Sequence, residues 1–235
     1  MHNLAVIPAR GGSKRIPHKN IRNFQGQPLI AYSVRACQNS GLFDRIIVST
    51  DDLEIASVAK ELGAEVPFMR SKELSDDFTG TGAVTKDAYL QMLKLGYQAD
   101  LICCVYATAP LLTGEWLKKA CAKFLEDHAD YLYACCEFPF PIQRAQYLKE
   151  DGTPVPVMPE CMPMRSQDLE KTYQDAGLFY FYSPRFLDNR EDLPEDTFIR
   201  RGFEMPRYRV IDIDTPEDFE YAQALALAVN KLGFV

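Results

Sequence analysis

Two stretches of this chain carry residues whose types and spacing can do chemistry. In the first, an apolar run from Leu4 to Pro8 breaks into Ala9-Arg10-Gly11-Gly12-Ser13-Lys14-Arg15-Ile16-Pro17-His18-Lys19-Asn20. A strand that ends in a glycine-bearing, cationic loop sets backbone N–H groups beside fixed positive charge, the combination a polyphosphate needs. The loop lacks the second glycine followed by Lys and Ser or Thr of a phosphate-cradling ATPase loop. It also lacks the three spaced glycines of a dinucleotide fold. Its one glycine pair, its cations Arg10, Lys14, Arg15 and Lys19, His18 and a stiffening proline suit a triphosphate folded over it.

The second stretch is Val210-Ile211-Asp212-Ile213-Asp214-Thr215-Pro216-Glu217-Asp218. Alternate residues of a strand share a face, so a strand over 209–213 turns Asp212 and Asp214 one way and Ile211 and Ile213 into the core. Two carboxylates about 7 Å apart at a strand end suit a hard cation such as Mg²⁺, which binds oxygen and bridges to substrate phosphates. Capping of the next helix, with Thr215 and Pro216 opening it, would account for Asp214 but leaves Asp212 unused. Together the cationic loop and the aspartate pair fit nucleotidyl transfer better than either does alone.

The elements that must position these groups follow from the pattern of apolar runs. Strands are expected at 4–7, 45–49, 65–69, 101–106, 130–136, 176–182 and 209–213. Helices are expected at 29–39, 52–62, 81–95, 116–127 and 216–232. Strands separated by helices of this length predict a doubly wound, mostly parallel, Rossmann-like α/β sheet. Asp51-Asp52 follows the Ile46-Ile47-Val48 strand, where an aspartate caps the next helix. Prolines recur at 139, 141, 154, 156, 159 and 163, so residues 137–172 read as an extended arm inserted in a single domain over 1–235. Lys149-Glu150-Asp151-Gly152 is its hairpin turn, and a dimer contact its expected role.

Composition narrows the class. A chain of 235 residues buries roughly 70–75% of its unfolded surface and needs no disulfide or structural metal. A net charge of −7 and a pI near 5.1 exclude a nucleic-acid partner and make the cationic loop a local site. Seven cysteines without a CxxC pair read as reduced core residues of a cytoplasmic protein. No run approaches the roughly 18 apolar residues of a membrane span, and no signal-peptide segment opens the chain.

With those residues in view, LAVIPARGGSKRIPHKNI, RIIVSTDD, ATAPLL and IDIDTPEDF resemble the acylneuraminate cytidylyltransferase family over essentially the whole chain. Its middle is most similar to the pseudaminic acid branch. Tyr106-Ala107-Thr108-Ala109-Pro110 stands where the sialic acid enzymes usually carry Gln-Pro-Thr-Ser-Pro, Leu112 where they usually carry Arg, and residues 173–180 replace an Arg-Pro-Asn-Gly-Ala run.

The resemblance implies a Mg²⁺-dependent reaction. In it the anomeric hydroxyl of a nine-carbon α-keto sugar acid attacks the α-phosphorus of CTP. It further implies that Arg10, Gly11, Gly12, Ser13, Lys14 and Lys19 bind the triphosphate, with Asn20 supporting the loop and Lys19 nearest the reacting phosphate. Arg70, Thr81, Tyr106 and Thr108 lie at the nucleotide, although Arg70 as a solvated cation and Thr81 as a helix N-cap are equally open readings. Tyr173, Gln174 and Asp175 are the sugar candidates. Arg165 reaches a neighbouring subunit's sugar carboxylate if the arm makes a homodimer, and is otherwise a surface arginine. Sialic, legionaminic or related keto acids remain alternative substrates, and a nucleotide-binding domain without catalysis is the alternative from another class.

Overall fold

The computed structural model describes residues 2–233. In chain order its strands are β1 (Asn3–Pro8), β2 (Asn23–Phe24), β3 (Gln27–Pro28), β4 (Arg45–Ser49), β5 (Leu101–Val105), β6 (Tyr131–Glu137), β7 (Gln146–Leu148), β8 (Pro154–Pro156), β9 (Tyr173–Tyr182) and β10 (Arg200–Glu204). Its helices are α1 (Ile30–Ser40), α2 (Leu53–Glu61), α3 (Thr81–Lys94), α4 (Gly114–Glu126), α5 (Pro184–Asn189) and α6 (Pro216–Leu232). The central sheet has the order β10-β6-β9-β5-β1-β4. β1 runs parallel to β4 and β5, β10 runs parallel to β6, and β9 alone is antiparallel to its neighbours β5 and β6. This is the doubly wound, mostly parallel α/β sheet that the alternation of elements predicts.

Both faces are covered because the central strands are apolar at successive positions. Ala5, Ile7, Leu101, Cys103 and Val105 pack with α1 and α4 on one side. Leu4, Val6, Ile102 and Cys104 pack with Ala88 and Met92 of α3 on the other. Each large aliphatic side chain so buried contributes about 1.5–3 kcal/mol. The cysteines are free thiols, buried except for the half-buried Cys161. Burial pushes the Cys104 thiol up to about 12 and that of Cys135 up to about 11, so neither is a thiolate at neutral pH.

β4 follows β1 on one side and β5 lies on the other, so the chain reverses direction across the sheet at β1. A crevice therefore opens beyond the carboxyl ends of these strands. Two expected strands are absent. Of residues 65–69 only Glu65 pairs, through a single bridge to Ile47, because Pro67 removes a donor. Residues 209–213 form no ladder: Arg207–Arg209 is a 3₁₀ turn and Val210 to Asp214 run on without strand partners. The inward–outward alternation survives there because Ile213, fully buried, is pinned with Ile16, Phe24, Leu29, Leu111 and Phe219 in a third apolar cluster. In the proline-rich segment β7 and β8 form an antiparallel hairpin whose turn places Gly152 at φ 81°.

Candidate active site

The cationic loop leaves β1 and is closed on itself by Asn20, 7% exposed, whose amide donates to the Arg10 carbonyl at 2.9 Å. Gly11 fastens it to the end of β4. Its N–H donates to Asp51 Oδ1 at 3.0 Å, and a Cβ on Gly11 would sit 2.5 Å from Asp52 Oδ2. Only glycine permits that approach. Asp52 caps α2 as expected, accepting from the N–H groups of Glu54 at 2.8 Å and Ile55 at 3.0 Å. Asp51 has a different task, holding the loop and facing Arg70 at 3.7 Å.

Beyond the loop lies a cavity of about 570 Å³, onto which Arg10, Ser13, Lys14, Lys19, Asn20, Arg70, Thr81, Tyr106, Thr108, Asp212 and Asp214 all open. Gly11 and Gly12 shape the loop without lining that cavity. The two ends of the sequence motif meet here. Lys19 Nζ donates to the Ile213 carbonyl at 2.6 Å and lies 3.5 Å from Asp214 Oδ1, while Arg15 reaches Asp214 Oδ2 at 3.0 Å. Asp214 is not the cap of α6. Thr215 is, in a reciprocal capping box with Asp218, which leaves the Asp214 carboxylate to the cavity.

Among the described residues no hydrogen-bond donor reaches Asp212. Although its surface is open to solvent, the surrounding protein and then the charge of Asp214 push its pKa up. A carboxylate whose charged form is disfavoured by a neighbouring carboxylate fits a divalent cation beside the pair. Among the described residues no group of three or more His, Cys, Asp or Glu side chains is arranged to hold a metal. A cation here would therefore complete its shell with water and ligand phosphates, as Mg²⁺ does. Across the cavity Asp77 holds Arg10 at 2.7 Å and Lys14 at 2.5 Å, and these two cations hold its carboxyl below the usual range.

Arg70 is a buried guanidinium with a side chain 3% exposed; its Nε and Nη2 have no hydrogen-bond partner, and burial lowers its pKa. A buried donor left unpaired costs about 1–3 kcal/mol, more when charged, a cost that an acceptor brought into the cavity would relieve. Arg70 is thus not a solvated cation. Nor is Thr81 a cap, since Gly80 holds that position; its hydroxyl instead meets that of Tyr106 at 3.1 Å.

Tyr106 opens a second cleft of about 440 Å³, which shares Thr81 and Tyr106 with the first and is walled by Tyr131, Tyr180, Tyr182 and Phe186. The Tyr180 hydroxyl lies 2.8 Å from Asp175 Oδ1 and 3.3 Å from the Tyr106 hydroxyl. Burial, and then Tyr106, drive the Tyr180 pKa well above the phenol range, so these hydroxyls stay protonated donors. Asp175 also accepts from the Gly177 N–H at 2.8 Å, with Gly177 at φ 60° turning β9 at its irregular register with β6. Of the four sugar candidates only Asp175 lines this cleft. Tyr173 instead reaches Glu204 at 3.3 Å, Gln174 pairs with Cys136 in the sheet, and Arg165 is bound to Asp168 on the arm.

Several residues of the two cavities were not singled out by the sequence: Asp77 acts across the fold, and Tyr131, Tyr180 and Arg190 read as core or surface positions. For Tyr180 the alternating aromatic run of β9 was the available sign.

A cationic loop facing an aspartate pair at the carboxyl end of a parallel sheet, beside an acceptor cleft, is the arrangement of a nucleotidyltransferase. The chain belongs to the cytidylyltransferase family, whose profile matches residues 4–232, and the enzyme is CTP-dependent. It is 46% identical over 237 residues to a pseudaminic acid cytidylyltransferase of Campylobacter jejuni, covering all of both chains. It is 32% identical to an N-acylneuraminate cytidylyltransferase A of Danio rerio, over 99% of this chain and 52% of that protein. Its fold matches that of a CMP:2-keto-3-deoxy-manno-octonic acid synthetase solved with CTP, with a TM-score of 0.72, 20% identity and coverage of 97% and 99%.

Proposed function

We propose that the protein transfers CMP from CTP to the anomeric hydroxyl of pseudaminic acid, a nine-carbon α-keto sugar acid, and releases pyrophosphate. One observation carries the reading: the cationic, aspartate-bearing cavity and the tyrosine-walled cleft share Thr81 and Tyr106. A nucleotide in the first and a sugar in the second are therefore neighbours, with the α-phosphate next to the nucleoside that Thr81 and Tyr106 receive. The higher full-length identity to a relative named for pseudaminic acid than to one named for N-acylneuraminate supports the choice of sugar.

In this reading Arg10, Ser13, Lys14 and Lys19 hold the triphosphate on a loop shaped by Gly11, Gly12 and Asn20. Arg70, Thr81, Tyr106 and Thr108 receive the nucleoside. Asp175, which lines the aromatic cleft, receives the sugar. Asp212 and Asp214 would hold Mg²⁺, which when bound would neutralise triphosphate charge and polarise the attacking hydroxyl. The bond from the anomeric oxygen to the α-phosphorus forms as the bond to the pyrophosphate oxygen breaks, and the hydroxyl proton is lost to the medium. Charge grows on the phosphoryl and leaving oxygens, where fixed cations strengthen most, and Lys19 is the cation braced beside the aspartate pair. Asp77 occupies Arg10 and Lys14 and gives them up to the phosphates.

The reading extends to the arm: residues 137–172 belong to a single domain and carry the contact with a second copy. Exposed apolar side chains support it, Phe140 at 79% and Leu148 at 73%. The free thiols suit the reducing cytoplasm. Pyrophosphate release with CTP, Mg²⁺ and a panel of pseudaminic, legionaminic and sialic acids tests the function. Fastest turnover is expected with pseudaminic acid. Faster turnover of sialic acid overturns the sugar, CTP binding without turnover of any keto acid overturns catalysis, and full activity in chelator overturns the metal.

A further inference from the structure

We infer that Arg190 receives the carboxylate of the sugar acid and so makes an acid, rather than a neutral sugar, the required acceptor; the inference rests on the keto sugar acid reading above. In a cyclised α-keto sugar acid the carboxylate and the reacting hydroxyl are attached to the same carbon. The group that takes the carboxylate must therefore stand at the wall where the two cavities join. Arg190 borders that wall from the side of the aromatic cleft, which it lines, without opening onto the first cavity. It follows α5 and lines the aromatic cleft, and its guanidinium lies against α3: a Cβ on Gly82 would come within 2.7 Å of its Nη1. Gly82 directly follows Thr81, whose hydroxyl meets Tyr106 at the shared wall.

The surroundings of Arg190 leave it incomplete. Its side chain is 25% exposed, and its ion pair with Glu191 is long, at 3.8 Å. Glu191 is itself held by Lys86 at 3.1 Å. Among the described residues the guanidinium makes no hydrogen bond. Five N–H donors in a fixed fork match a carboxylate in paired, parallel bonds, and the neutral tyrosine wall strengthens them by excluding water. The competing arginines are engaged. Arg200 is held by Glu195 and lies 5.7 Å over the Tyr131 ring. Arg165 is bound twice by Asp168, at 2.7 and 3.0 Å.

The test compares the sugar acid with its C1 amide as acceptor, in wild type, Arg190→Gln, Gly82→Ala and Arg165→Gln, with CTP affinity measured by calorimetry as a check on the fold. Wild type is expected to prefer the acid in kcat/KM by roughly 10- to 100-fold, the worth of charge-assisted bonds. Arg190→Gln is expected to lose that preference through a raised KM for the acid, with CTP affinity unchanged. Gly82→Ala displaces only the flexible end of Arg190 and is expected to fall between. Should Arg190→Gln also lose CTP binding, Gly82→Ala decides: an unaltered preference in it overturns the inference. So does a preference retained by a folded Arg190→Gln, or lost in Arg165→Gln alone. A wild-type protein that turns over no keto sugar acid overturns the underlying function, and the inference with it.

Discussion

The two cavities that meet at Tyr106 are built on opposite physical plans. The first is a ring of charge on loops, where Arg10, Lys14, Arg15 and Lys19 are held in position by Asp77 and Asp214. The second is a wall of stacked rings on strands, with Tyr131 lying flat against Tyr133, Tyr180 and Phe186 and a few hydroxyls and one carboxylate set into it. Charge on loops suits a ligand whose own charge shifts during reaction. A rigid aromatic wall suits one that must be recognised by shape and by the positions of its hydroxyl and acyl groups. The chemistry and the selectivity are thereby separable, and substitutions on either side should read out in different kinetic constants.

The strongest way to break that separation is at Lys19. Lys19→Met is expected to lower kcat by roughly 100- to 1000-fold, as for loss of one preorganised transition-state donor, with little change in KM for the sugar. A normal kcat with only a raised KM for CTP would place Lys19 in ground-state binding instead. Next comes Tyr180→Phe, which removes the hydroxyl between Asp175 and Tyr106 and leaves a carboxylate short of a donor. Its expected signature is a rise of roughly 10-fold in the sugar KM with the CTP KM unmoved; steady-state kinetics with each substrate varied would show the two cavities to be coupled if both constants rose together. The smallest effect belongs to Asp77→Asn. Its ion pairs are exposed and therefore weak, so freeing Arg10 and Lys14 should tighten CTP binding by a few-fold in calorimetry, and weaker binding would make Asp77 a ligand-side group rather than a stand-in for phosphate.

The same contrast explains what could be read from the sequence. Arg10, Lys14, Lys19, Asp212 and Asp214 were legible because charge on a glycine-bearing loop and an Asp-x-Asp pair have few uses in a core, and because local pattern alone marks them. The sheet was legible for a similar reason, since β1 and β5 are apolar at every central position. The edge strand β10 was missed because Arg200-Arg201-Gly202-Phe203-Glu204 is polar and mostly exposed, and an edge strand needs only one apolar side chain to dock. α5 was missed although Ser183 caps it and Pro184 opens it, a pair of signals that its short length hid. Most of the aromatic cleft was illegible: Tyr106 and Asp175 stood out by motif position, but Tyr131, Tyr180 and Arg190 come from three separate segments, and local pattern does not distinguish a ring that faces a ligand from a ring that fills a core. Tyr173 and Gln174 stand out by motif position, yet Tyr173 reaches Glu204 and Gln174 pairs with Cys136 of β6, and only Asp175 lines the cleft.

The third apolar cluster, in which Ile16 packs with Ile213 and Phe219, has a consequence for the order of assembly. The Lys19 contact with the Ile213 carbonyl closes across 194 residues, and contacts of such separation carry the largest loop-closure cost and form late. A chain emerging from the ribosome therefore shows its phosphate loop long before the segment that braces it exists. The sheet itself is complete only once β10, at Arg200–Glu204, has been made, and turnover begins only when α6 docks behind it.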